Sequence, residues 1–111
     1  MGIFSSTLST KMSSQTVQMV KDLIKSDVVV IFSKSYCPYC KLAKEVFEKI
    51  NKPYTAIELD NRDDANDIQE ILEEITGART VPRVFVNGTC LGGGSDVKAL
   101  YENGKLQDYF K

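Results

Sequence analysis

Five consecutive apolar residues, Val28-Val29-Val30-Ile31-Phe32, four of them β-branched, lead through Lys34 into Cys37-Pro38-Tyr39-Cys40. Such a run reads as a buried strand, and proline is favoured at the first position of a helix, where its missing N–H costs nothing. The chain therefore passes from strand to helix at the cysteines. Beyond them Ala43, Val46, Phe47 and Ile50 recur at i, i+3, i+4, i+7, which gives that helix a core-facing stripe until Asn51-Lys52-Pro53 ends it.

The rest of the chain falls into place around this junction. Val17, Val20, Leu23 and Ile24 predict a first helix from about Thr16 to Lys25, and Tyr54 to Leu59 a second strand. A third helix is expected next, with Asp63 and Asp64 in its first turn, an inner stripe of Ile68, Ile71, Leu72 and Ile75, and Gly77 placed as a C-terminal cap. Val84-Phe85-Val86 and Cys90-Leu91 flank Asn87-Gly88, a strong hairpin signal. Val97, Leu100 and Tyr101 mark a last helix, closed by Gly104. The order α-β-α-β-α-β-β-α implies an α/β fold in which a parallel pair joined by a helical crossover meets an antiparallel hairpin, forming a four-stranded mixed sheet flanked by helices.

At 111 residues this is one small domain, expected over 13–111, behind an extension over 1–12 that is rich in serine and threonine and free of acidic groups. Met1-Gly2-Ile3-Phe4-Ser5-Ser6 fits a pattern for N-myristoylation, and the acid-free start faintly resembles a transit peptide without its arginines. One acyl chain binds membranes only marginally and no apolar run reaches spanning length, so no stable membrane association is expected. A net charge of −1 without basic stretches excludes nucleic acid as the natural partner. Three cysteines make a poor disulfide framework and favour a reducing compartment such as cytosol or mitochondrial matrix; a cytoplasmic location is the expectation.

Two thiols at i and i+3 lie on one helical face and can close a small disulfide ring. Pro38 places Cys37 at or next to the N-cap, where free N–H groups and the helix dipole favour a thiolate, and Lys34 adds positive charge nearby. With no histidine in the chain, a Cys-His ion pair cannot supply the activation. Cys40, one turn deeper, should be shielded. Cys37 is thus the candidate nucleophile and Cys40 the candidate resolving thiol. Half of a zinc site and a pair of inert packed cysteines are the competing readings; three cysteines without histidine leave a tetrahedral metal site short of ligands, and no metal is expected.

Two further segments carry signals. Pro82 in Thr80-Val81-Pro82 should take the first position of its strand, and X-Pro is the realistic place for a cis peptide; a plain loop-to-strand turn is the alternative. In Gly92-Gly93-Gly94-Ser95-Asp96 the glycines would let backbone approach a ligand, Ser95 is a plausible N-cap, the helix terminus would receive a carboxylate, and Asp96 could attract an ammonium. A simple capping turn explains the same residues. Cys90 reads as a small packed residue rather than a regulatory thiol.

Taken together, Lys34, Cys37-Pro38-Tyr39-Cys40, Gly77 through Thr80-Val81-Pro82-Arg83 and Gly92-Gly93-Gly94-Ser95-Asp96, in this order and spacing, make the chain resemble the dithiol glutaredoxins from roughly Thr16 to Phe110. The resemblance implies a thioredoxin-like fold and glutathione as cosubstrate. It implies that Lys34 and Gln69 contact the glycine carboxylate of glutathione, that Val81 pairs with its cysteinyl backbone ahead of a cis Pro82, that Ser95 and Asp96 hold the γ-glutamyl end, and that Tyr39 lines the same groove. The implied activity is reduction of protein–glutathione mixed disulfides and of small or protein disulfides, by a monomer. Some relatives instead bridge an iron–sulfur cluster between two subunits through the first cysteine and bound glutathione, although Pro38 counts against that role by the family's pattern. A thioredoxin-type reductase is a second alternative, but its tryptophan-containing active-site context is missing.

Overall fold

The computed structural model describes residues 13–111; the extension expected over 1–12, with its acylation pattern, lies outside the described residues. Helix α1 (Ser14–Ile24) starts two residues earlier than its apolar spacing suggests, because the Ser13 hydroxyl oxygen accepts the N–H of Thr16 at 3.1 Å and caps it. Strand β1 (Val29–Ser33) follows. Val28 stays outside it and is 48% exposed, its carbonyl accepting the N–H of Asn87 at the far hairpin. Helix α2 (Pro38–Lys49), strand β2 (Thr55–Glu58), a 3-10 turn (Leu59–Asn61), helix α3 (Ala65–Thr76), strands β3 (Arg83–Val86) and β4 (Thr89–Gly92), helix α4 (Gly94–Glu102) and a final 3-10 turn (Leu106–Phe110) complete the chain.

The sheet runs β2-β1-β3-β4, with β1 parallel to β2 and antiparallel to β3, and β3 antiparallel to β4. This is the expected mixed sheet. All five residues of β1 are buried, and alternation sends Val29 and Ile31 to one face and Val30 and Phe32 to the other. On the first face they meet Ala43, Val46 and Phe47 of α2 and Val97 of α4; on the second, Val20 and Ile24 of α1 and Ile68, Ile71 and Leu72 of α3. A strand apolar at every position thus requires helices on both sides. Phe32 packs edge-on to Phe85 with ring centroids 5.8 Å apart, tying β1 to β3 within the second core.

Three boundary expectations need correction. Asp63 and Asp64 precede α3 rather than filling its first turn: Asp64 sits at the N-cap position without a side-chain cap and pairs with Arg62 at 2.8 Å, leaving Asp67 as the acid of the first turn. Ile75 is 41% exposed, because the buried stripe of α3 ends at Leu72 as the helix leaves the sheet. Tyr54 and Leu59 flank β2 rather than belonging to it, Leu59 opening the 3-10 turn. Gly77 caps α3 with φ +87°, and Asn87-Gly88 turn the hairpin with φ +51° and +81°, as their residue types demand.

Candidate active site

The C-terminal end of β1 delivers the chain to a short loop, Lys34 to Tyr36, pinned from the side by Asp60. Its carboxylate accepts the backbone N–H of Ser35 at 3.1 Å and also the Ser35 hydroxyl. These bonds, with the Lys34 charge as a further contribution, hold Asp60 below the usual carboxylate range. The loop then closes on itself through the Cys37 N–H, which donates to the Lys34 carbonyl at 3.0 Å.

Cys37 is the N-cap of α2 and Pro38 its first residue. The Cys37 sulfur takes the place of a capping oxygen: it accepts the backbone N–H of Cys40 at 3.2 Å, so a first-turn dipole points at the atom that would carry a thiolate charge. As a thiol it reaches the Val81 carbonyl at 3.8 Å. Cys40 is completely buried. Burial, and secondarily its hydrogen bond with Cys37, push its thiol up to about 11, against smaller opposing effects of the Lys34 backbone and the Ser33 side chain. The two sulfurs therefore differ as the helix geometry requires, one capped and partly open, the other enclosed and protonated at neutral pH. Tyr36 and Tyr39 stand exposed around them.

A groove of about 350 Å³ opens beside Cys37, lined by Tyr39, the Thr80–Arg83 segment and residues 93–96. The Val81–Pro82 peptide is cis. Pro82 lies just before β3 rather than in it, so the strand keeps every ladder donor. Five residues expected at a ligand site, Tyr39, Val81, Pro82, Ser95 and Asp96, thus converge on one groove. Lys34 and Gln69 are not part of its lining. Lys34 stands half-buried in the loop before Cys37, while Gln69 is buried on α3 with its amide donating to the Arg79 carbonyl at 2.9 Å, which steadies the segment that carries Val81 and Pro82.

At the groove's other wall the N-cap of α4 is Gly93, not Ser95. The carboxylate of Asp96 reaches back to the Gly93 N–H at 2.8 Å and starts the helix two residues before a serine cap would. The glycines serve protein packing more than ligand approach: a Cβ on Gly92, at φ +105°, would overlap the Asp96 carboxylate, and one on Gly94 would stand 2.6 Å from the Tyr39 carbonyl oxygen. Asp96 remains exposed, keeping lone pairs for a cation.

Arg83 was missed as a lining residue. It is buried, donating from Nε to the Thr80 and Pro82 carbonyls at 3.1 and 3.2 Å, and its strand position gave no hint that the side chain folds back along the preceding loop. Two other recesses, of about 310 and 360 Å³, lie at the opposite end of the sheet around Asp27, Val28 and Asn87. They match the groove in size but have no cysteine in their lining, so chemistry rather than volume singles out the site.

Comparison with known proteins agrees with this geometry. The glutaredoxin family profile matches residues 29–91. Glutaredoxin-C4 of Arabidopsis thaliana is 50% identical over 103 residues, covering 93% of this chain and 76% of that protein. The mouse protein called glutaredoxin-2, mitochondrial, is 42% identical over 106 residues, covering 96% and 68%. The crystal structure of a buckwheat glutaredoxin–glutathione complex superposes with a TM-score of 0.80 at 36% identity, over 88% of this chain and 93% of that one.

Proposed function

The chain belongs to the glutaredoxin family of glutathione-dependent thiol–disulfide oxidoreductases, with their thioredoxin-like fold, and from that membership we propose that it removes glutathione from mixed disulfides through Cys37. The observation that carries the assignment is the Cys37 sulfur acting as the helix cap, open beside a groove, while Cys40 is enclosed. A thiolate at Cys37 is stabilised by the Cys40 N–H and the dipole of α2. It attacks the glutathione-side sulfur of a substrate–S–S–glutathione disulfide. The S–S bond breaks, the substrate leaves as a thiolate and takes up a proton, and Cys37 carries the glutathione. A second glutathione thiolate attacks that adduct, yielding glutathione disulfide and regenerating Cys37. For protein or small disulfides, Cys40 instead closes the Cys37–Cys40 ring, which two glutathione molecules reopen.

In this reading the groove holds the glutathione of the mixed disulfide. Asp96 faces its ammonium, Ser95 its γ-glutamyl carboxylate at the α4 terminus, Val81 its peptide backbone beside Pro82, and Tyr39 its flank; Lys34 and Gln69, outside the groove's lining, are the residues proposed for the glycine carboxylate. The groove's volume suits a tripeptide, and its one exposed acid matches the tripeptide's one cation. With this activity we propose a monomer in the cytoplasm, a reducing compartment that suits a chain with an odd number of cysteines. Among the described residues no helix is long and apolar enough to cross a membrane.

The test is a pair of substitutions. Cys37→Ser should abolish deglutathionylation of a glutathionylated peptide in a glutathione and glutathione reductase assay, whereas Cys40→Ser should retain it and lose most dithiol reduction of a protein disulfide. Full activity of Cys37→Ser refutes the assignment.

A further inference from the structure

The groove beside Cys37 holds one charged group to which the proposed function gives no task. Arg83 is only 8% exposed, yet it lines the groove. Its Nε–H is shared between the Thr80 and Pro82 carbonyls at 3.1 and 3.2 Å, which tethers the guanidinium along one edge. Among the described residues its two Nη nitrogens have no hydrogen-bond or ion-pair partner. No fully buried side-chain nitrogen or oxygen of those residues is left without a partner, so the small part of Arg83 that stays open is its Nη end. A shielded cation without a counter-ion is costly, and an arriving anion relieves that cost. With Nε tethered the guanidinium plane is set in advance, and its free donors form the fork that matches a carboxylate.

The surroundings of the fork say which carboxylate. Gly93 lies between Arg83 and Asp96: a Cβ placed on it would stand 3.2 Å from Arg83 Nη2 and 3.8 Å from Asp96 Oδ2. The cation and the anion thus face one small space without pairing with each other, and the absence of a side chain at Gly93 keeps that space open. Opposite charges held apart in this way are complementary to a zwitterion whose ammonium and carboxylate sit on one carbon. We propose that Arg83 and Asp96 form a receptor for an α-amino acid zwitterion, the guanidinium taking the γ-glutamyl α-carboxylate together with Ser95 while Asp96 takes the α-ammonium. Arg83 is then a specificity-determining residue. It makes the groove select a thiol whose far end keeps its α-carboxylate free, as a γ-linked glutamate does and an α-linked one does not. The inference rests on the reading of the groove as the glutathione site.

The experiment times release of a peptide thiol from three mixed disulfides in single turnovers of the reduced full-length protein. The peptide is joined to glutathione, to its 4-aminobutanoyl analogue, which lacks only the α-carboxylate, or to its glutaryl analogue, which lacks only the α-ammonium. The parent should react with the glutathione form about 10–100-fold faster than with the 4-aminobutanoyl form, the range expected for a hydrogen-bonded charge pair. Arg83→Gln and Arg83→Met, the second retaining an unbranched stem for packing, should each reduce that preference to a few-fold and leave the preference over the glutaryl form intact. Asp96→Asn should do the reverse.

A role confined to tethering the Thr80–Pro82 segment slows all three disulfides alike, so both preferences surviving in the Arg83 variants overturns the proposal. A parent that discriminates against the glutaryl form but not the 4-aminobutanoyl form overturns it without recourse to any variant, and leaves the groove's assignment standing. A parent indifferent to both deletions refutes the groove as the glutathione site, and the inference with it.

Discussion

Asp96 is a side chain that serves folding and, in the function proposed, recognition as well. Its carboxylate starts α4 by accepting the Gly93 N–H, and the same group lies open in the groove where an ammonium would sit. The two roles separate by substitution. Asp96→Asn keeps an acceptor for the cap but removes the charge, so KM for the glutathionylated substrate should rise several-fold in steady-state assays, with stability changed by about 0.5 kcal/mol or less. Asp96→Ala should show the same kinetic defect plus a loss of about 1 kcal/mol in urea denaturation. At this scale the sequence was informative about residue types and poor about direction. It identified Cys37, Asp96 and Pro82 as unusual, because each carries a strong local preference for a cap, a first turn or a special peptide. It misplaced the α4 cap onto Ser95 because a glycine cap leaves no side-chain signal, and it missed Arg83 because nothing local tells which way a long side chain folds.

Elements were legible where a pattern and its punctuation agreed. The stripe of α2, the Gly77 cap and the Asn87-Gly88 turn all sit where spacing and backbone chemistry required. Ends were less so. Val28 continues the apolar run of β1 yet lies outside it, since where a strand ends depends on where its neighbours end, and beyond Val86 the chain leaves β3 for the hairpin turn at Asn87. Ile75 keeps the helical period of α3 but overshoots the sheet below. The hairpin offers a check on this scale. Nothing lies within 4 Å of a Cβ placed on Gly88, so Gly88→Ala should cost only the conformational penalty of its positive φ, about 1–2 kcal/mol by urea denaturation, and leave turnover unchanged because the turn is at the opposite end of the sheet from Cys37.

For the molecule as a whole, ionisation sets the limits of stability at both ends of the pH scale. Asp60 and Asp64 are held below the ordinary carboxylate value by Ser35 and by Arg62, respectively. The unfolded chain then binds more protons in acid, so their contribution is complete above about pH 4 and is withdrawn as pH falls through their folded values. Asp60→Asn with Asp64→Asn should flatten the acid limb of a stability profile. In alkali the sign reverses. Cys40 is raised from 9.0 to about 11, chiefly by burial, and Tyr54 from 10.0 to about 12, chiefly by burial and then by its bond to Glu48. Stability from these groups is complete below their unfolded values and is lost as pH rises through the folded ones. Cys40→Ser should remove the part of the decline between pH 9 and 11, and Tyr54→Phe the part between 10 and 12, in denaturation midpoints measured across that range. The seam where Gly94 abuts the Tyr39 carbonyl adds a different constraint on the whole. Because the first turns of α2 and α4 touch there backbone to backbone, the proposed nucleophile and the acid that would greet an ammonium form a fixed ruler, and adapting this scaffold to a bulkier thiol cofactor would mean recarving the Thr80–Arg83 wall, since the jaws cannot be spread.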